Sequence, residues 1–278
     1  MRAAYLAWSR GDSTASFSFA DVGAATASDS LDRATVSFYY ALCLDIRAWC
    51  LQKEGRYQEA LEQYGQAVRL HLKPPTLTTQ YYAHAAGCLY VLGRFDEALL
   101  FSHQALAGPV QIPDTSTAEA HRCAALSLAE LSRFDEALFH CEAGMVIQPV
   151  SSGNIWLMVD RPWLLFLAGQ VDKAEASFAD LKPVAAVSQH LRQEYNEVLG
   201  RVRMSQGRLE EAEALFLESL TDTKGQHPSR LYHLAMLAQS RGDLPMLQKY
   251  QDQLQQESPE SFYAQRLCEQ IPNLSNRV

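Results

Sequence analysis

Apolar residues recur along this chain at three- and four-residue intervals, which is the period of a helix with one buried face. They fall into two alternating sets of segments. The first set covers residues 31–53, 77–92, 116–131, 155–168, 188–205 and 230–241. The second covers 57–72, 95–106, 134–147, 171–181, 209–220 and 244–255. A short polar phrase separates the two members of each pair. It reads Gly55-Arg56-Tyr57-Gln58-Glu59-Ala60-Leu61 and Gly93-Arg94-Phe95-Asp96-Glu97-Ala98-Leu99. It returns as Ser132-Arg133-Phe134-Asp135-Glu136-Ala137-Leu138, Gly169-Gln170-Val171-Asp172-Lys173-Ala174 and Gly207-Arg208-Leu209-Glu210-Glu211-Ala212. Alanines 60, 98, 137, 174 and 212 stand 38, 39, 37 and 38 residues apart. A fixed period of this size implies stacked helix pairs that share one continuous core.

The punctuation agrees with that reading. Glycine ends a helix tightly by taking the left-handed conformation. The acids that follow it suit the positive end of the second helix. Prolines 74, 109, 113, 149, 183 and 228 are expected between repeats, where a helix must stop. A weaker helix pair is expected at 1–29, the repeats at 30–256, and a capping helix (259–270) with a tail at 257–278. The whole chain, 1–278, then forms a single domain.

The phrase resembles the signature of tetratricopeptide repeats. Gly, the aromatic two residues on and the Ala three further match at Gly55/Tyr57/Ala60 and Gly93/Phe95/Ala98. Ser132/Phe134/Ala137 matches with Ser for Gly. Gly169/Val171/Ala174 and Gly207/Leu209/Ala212 carry an aliphatic in the aromatic slot. Gly242/Leu244/Leu247 is a degenerate last member. Tyr64, Phe178 and Phe216 fill a second aromatic slot. The resemblance covers residues 30–256, and its period exceeds the family's usual ~34 residues. It implies an all-α, right-handed superhelical α-solenoid of antiparallel helix pairs, with six to seven repeats and a C-terminal cap. Longer repeats of this sort look like those in the sensor segments of some large bacterial transcription regulators.

Counting back from each turn residue sorts the first helices into columns. Seven residues before it stand Ala48, Ala86, Ala125, Pro162, Gly200 and Ala235, all compact enough for close helix packing. Four before it stand Leu51, Leu89, Leu128 and Leu165, a core column. A neighbouring face, on one side of each helix, carries Asp45, Trp49 and Lys53, then His84 and Tyr90, then Arg122. It continues with Trp156, Asp160, Trp163 and Phe166, then Glu194, Glu197 and Arg201, and last Tyr232 and Met236. In tetratricopeptide proteins the similar face lines the inner groove and contacts ligand. Three of the four tryptophans lie on it, and aromatics, Met and Arg favour interface centres. The alternative is that these rings fill a tightly wound core. The family's clamp for a terminal carboxylate needs Lys, Asn and Arg here. Only Lys53, Arg122 and Arg201 are cationic and no Asn is present, which disfavours that clamp. Pro162 predicts a kink or break within Ile155–Trp163, with Asp160 capping the restarted helix.

Composition narrows the partners. The net charge of −8 repels phosphate backbones and argues against nucleic acid or an anionic membrane surface. No apolar run is long enough to span a bilayer, and residues 1–7 are too short and too quickly polar for a signal peptide, so none is expected there. The six cysteines form no CxxC pair and fall within apolar helical patterns, as expected for buried thiols in a reducing cytoplasm.

Chemistry is sparse. No phosphate loop, HExxH or GxSxG occurs. His84, Cys88 and Cys123 would approach one another as zinc ligands or a thiol site, but lack an evident fourth ligand, and packed core residues explain them better. Asp45 with Asp160, or Glu194 with Glu197, would serve as acid–base pairs, yet solvated groove charges explain them as well. The expectation is a non-enzymatic scaffold, without metal or cofactor, that holds a peptide or amphipathic segment of a partner protein in an aromatic groove. A sensing segment of a larger regulator, or a metal- or thiol-dependent enzyme, are the alternatives.

Overall fold

The computed structural model describes residues 33–70, 75–107, 115–147, 152–221 and 228–271, together with the single residue 18. The expected helix pair at 1–29 lies outside the described residues apart from that one position. The first helices are α1 (Arg33–Lys53), α3 (Pro75–Val91), α5 (Thr115–Glu130), α7 (Ser152–Leu167), α9 (Gln189–Ser205) and α11 (Pro228–Ser240). Their partners are α2 (Tyr57–Arg69), α4 (Phe95–Leu106), α6 (Phe134–Met145), α8 (Val171–Ala185), α10 (Leu209–Ser219) and α12 (Leu244–Glu257). A last helix, α13 (Phe262–Gln270), follows. Each first helix packs on its own partner, and α3, α5, α7 and α9 also pack on one another in series. This is an all-α solenoid whose first helices line one side.

The recurring phrase makes the turn for two reasons. Its first residue takes φ of 70–76° at the five glycines and 61° at Ser132. That lets the next amide reach back to the end of the first helix, as Arg56 N does to Leu51 O at 2.9 Å and Arg133 N to Leu128 O at 2.8 Å. The arginine then clasps the glutamate three residues on. Arg56 Nε donates to Glu59 at 2.6 Å, and Arg94, Arg133 and Arg208 repeat the contact with Glu97, Glu136 and Glu211 at 2.7 Å. The glutamates thus sit in the first turn of α2, α4, α6 and α10, where the exposed amides favour negative charge.

The compact column is buried throughout, from Ala48 to Ala235. At Gly200 the fit is close, because a Cβ there would lie 2.9 Å from the Phe216 ring. Tyr64, Phe178 and Phe216 fill the second aromatic slot as buried rings, and Ser102 and Cys141 are buried in the same slot.

Three local expectations are corrected. α7 is one helix through Pro162, so the expected break does not occur and Asp160 lies within the helix, capping no restarted one. Leu157, Leu164 and Leu165 are buried on either side of the proline, and their packing outweighs the missing hydrogen bond. Pro183 falls inside α8, which continues to Ala185, with Leu181 and Ala185 buried around it. Cys268 is exposed on α13, whereas the other five thiols are buried.

α13 does more than cover the end of the stack. It packs on α11 and α12, and it also reaches the turns of the early repeats. Phe262 meets Tyr90 and Phe95 edge-on, with centroids 5.8 and 5.2 Å away. Just before it, Glu260 accepts a bond from Gln58 N at 2.9 Å.

Candidate partner-binding groove

The inner face is a ladder of ion pairs, most joining side chains about one repeat apart. Asp45 on α1 lies 3.3 Å from His84 Nδ1 on α3 and also accepts from Gln80. His84 Nε2 is 3.5 Å from Glu119 on α5. Burial opposes protonation of this imidazole, but the two flanking carboxylates outweigh it and raise the pKa to about 10. Arg122 on α5 donates to Asp160 on α7 at 2.6 Å. Arg230 on α11 donates to Glu194 at 2.5 Å and Glu197 at 2.7 Å on α9, and to Ser219 O at 2.8 Å. Two acids thus share one arginine. Burial and the neighbouring Glu197 push Glu194 up to about 7. Glu197, despite its burial, is held low by Arg230.

These contacts separate the residues singled out from sequence. Asp45, His84, Arg122, Asp160, Glu194 and Glu197 are engaged by one another or by Arg230. Asp45 and Asp160 answer to different cations and do not pair. His84 is held between carboxylates, Cys88 accepts from Gln52 Nε2 at 2.8 Å, and Cys123 faces Ala83 O. Burial pushes the Cys88 thiol up to about 12 and that of Cys123 upward as well, the reverse of what a thiolate nucleophile needs. Among the described residues no group of three or more His, Cys, Asp or Glu has metal-binding geometry.

The aromatic residues divide differently. Trp49 is 37% exposed, edge-on to His84 at 5.6 Å, and Lys53 is exposed beside it. Trp156 meets His190 at 4.8 Å. Trp163 stacks on Phe166 at 5.9 Å and lies under the Arg201 guanidinium at 4.3 Å. Tyr232 is buried, packs on Tyr263 and donates to Gln270 at 3.0 Å. Tyr90 is covered by Phe262. Tyr90 and Tyr232 thus both pack against α13, and Tyr90, like Trp163, is half-buried.

Among the described residues, two cavities lie on this face. One, of about 280 Å³, lies beside Trp49, His84, Tyr90, Glu119 and Arg122. The other, of about 480 Å³, is bounded by Trp163, Arg201, Met204, Tyr232, Met236 and Tyr263, with Glu130 and Arg266 at its rim.

Solved structures share this architecture. An apo form of RapI aligns over 96% of this chain and 97% of its own, with TM-score 0.67 and 12% identity. A tetratricopeptide repeat protein from Parabacteroides merdae aligns over 96% of this chain and 94% of its own, with TM-score 0.60 and 15% identity. The fold is that of a tetratricopeptide-repeat solenoid. A human IFIT1 dimer with PPP-AAAA also matches, over 95% of this chain and 64% of its own, with TM-score 0.51 and 18% identity. No family model matches the sequence, and no curated protein matches it. Among the described residues, no helix of this tetratricopeptide-like stack is long and apolar enough to cross a membrane.

Sequence reasoning missed Arg230, α13 as an inner-face element, and the pairing of the groove charges. A signal for the pairs existed. Asp45–His84 and Arg122–Asp160 are separated by 39 and 38 residues, so opposite charges recur one repeat apart.

Proposed function

We propose that this chain is a non-enzymatic scaffold whose inner groove holds a segment of a partner protein. The observation that carries the proposal is the open cavity of about 480 Å³ beside Trp163 and Met236. Its aromatic, Met and Arg lining is the composition favoured at interface centres. The net charge of −8 favours a protein partner over a polyanion such as nucleic acid. The raised thiols of Cys88 and Cys123 and their separate engagement favour a non-catalytic role.

A photo-cross-linking amino acid at Met236 tests this in the source cell, with Phe139, an exposed residue 67% accessible on α6, as the control position. The expected result is a discrete protein adduct from Met236 that Phe139 does not give. Trp163→Ala should weaken that complex by about 2 kcal/mol. Adducts of equal yield from both positions would sink the reading. The cavity volume also falls in the range of small-molecule sites, which favours ligand sensing as the second reading. A bound small molecule recovered from the native protein, with no protein adduct, would select it.

A further inference from the structure

Arg201 is the one inner-face arginine named above that the ladder leaves unpaired. Arg122 has Asp160 and Arg230 has Glu194 and Glu197. Among the described residues no acid lies within ion-pair distance of Arg201, and its Nε is buried with no hydrogen-bond acceptor. The acids nearest in the field, Glu197 and Glu130, are engaged by Arg230 at 2.7 Å and by Arg266 at 3.7 Å. His233 adds no positive charge, since burial and the adjacent Arg201 push its pKa down to about 3. The cavity therefore holds an excess of one cation, from Arg201 and Arg266 against Glu130.

The geometry around that cation is specific. Arg201 Cζ lies over the Trp163 ring, 4.3 Å from its centroid, a cation–π contact that holds the guanidinium while its N–H groups remain available as donors. Nε is enclosed, so a two-oxygen acceptor in the cavity would meet the terminal N–H groups of Arg201 and form charge-assisted bonds there. In the same cavity, Met204, Met236 and Phe134 supply apolar walls.

We propose that the Arg201–Trp163 corner is a carboxylate subsite, taking an acidic side chain of the bound segment while an adjacent apolar side chain fills the space by Met204, Met236 and Phe134. This rests on the scaffold reading and assigns the chemistry of its ligand. It differs from a clamp for a chain terminus, because one stacked arginine recognises the acid.

The test uses methyl-labelled methionine in the intact chain, with Met204 and Met236 as reporters and Met145 as a distant control. The probes are acetyl-phenylalanyl-glutamate amide, its glutamine analogue, acetyl-phenylalanine and inorganic phosphate. The glutamate probe should shift Met204 and Met236 and bind about tenfold or more tightly than the glutamine probe. Arg201→Gln should remove that preference. The comparison between probes in the unaltered protein needs no variant, so a folding defect in Arg201→Gln does not spoil it. Equal binding of glutamate and glutamine probes overturns the proposal. So does binding of acetyl-phenylalanine but not the glutamate probe, which would mark a terminus site. So do the same shifts from phosphate alone, which would mean an adventitious ion only. A protein adduct at Met236 whose affinity ignores Arg201→Gln would overturn the subsite and leave the scaffold standing. Glutamate selectivity without any protein adduct would do the opposite.

Discussion

Arg230 Nε lies 2.7 Å from Glu197 inside the stack, and the arginine side chain has no solvent exposure. The same guanidinium holds Glu194 and closes on Ser219 O. It thus ties the last repeat to the one before it through α9 and the end of α10. Removing the cation leaves two largely covered carboxylates without it. Arg230→Met should cost about 3–5 kcal/mol, read from the urea midpoint. A loss below about 1 kcal/mol would mean that water compensates the acids.

Ser132 holds a left-handed turn that glycine holds elsewhere. Its φ of 61° costs a residue with a Cβ about 1–2 kcal/mol. Ser132→Gly should therefore stabilise the chain by about 1 kcal/mol, after the greater freedom of glycine when unfolded is set against it. Gly207→Ala, at φ 76° with open space around it, should cost about 1 kcal/mol. Gly93→Ala should cost more, because its Cβ would lie 2.7 Å from Phe262 Cβ. Equal losses at Gly93 and Gly207 would show that α13 yields freely.

His84 gains its proton between Asp45 and Glu119. Its folded pKa, about 10, lies above the ordinary value of 6.5. The stabilisation is thus fully present below pH 6.5 and is lost as pH rises through 10. His84→Gln should lower stability by about 3–5 kcal/mol at neutral pH and flatten the decline between those limits. Parallel urea curves for the two proteins across that window would contradict the carboxylate sandwich.

The thiols should separate cleanly. Cys268 is exposed, while Cys88, Cys123 and Cys141 are buried and have their pKa values raised by burial. A thiol reagent at neutral pH should modify Cys268 first, and the buried thiols on the timescale of unfolding. Rapid reaction of Cys123 in the folded protein would reopen the thiol chemistry considered from sequence.

Local signals carried the fold. The left-handed turn at Gly55, the compact column from Ala48 to Ala235 and the buried slot of Tyr64 and Phe216 each arise from residues within one repeat. The groove was legible only as a face. How far Tyr90 is covered depends on Phe262, which lies far along the chain and packs there without a local pattern. Arg230 escaped because it falls outside the inner columns counted back from Gly242, and its value comes from acids on another helix. The break expected at Pro162 does not occur, because a local rule for hydrogen bonding met stronger burial of Leu157, Leu164 and Leu165 around it.

The bond from Gln58 N to Glu260 joins positions 202 residues apart. A simple repeat array is a line, in which each unit feels only its neighbours and either end frays alone. This contact, with Phe262 at Tyr90, turns the line into a loop. Its closure must be achieved against chain entropy and raises the contact order of folding. In return, opening the first repeats also releases the last helix. Hydrogen exchange should therefore find α2 and α13 opening together, as one cooperative unit at the seam of a ring.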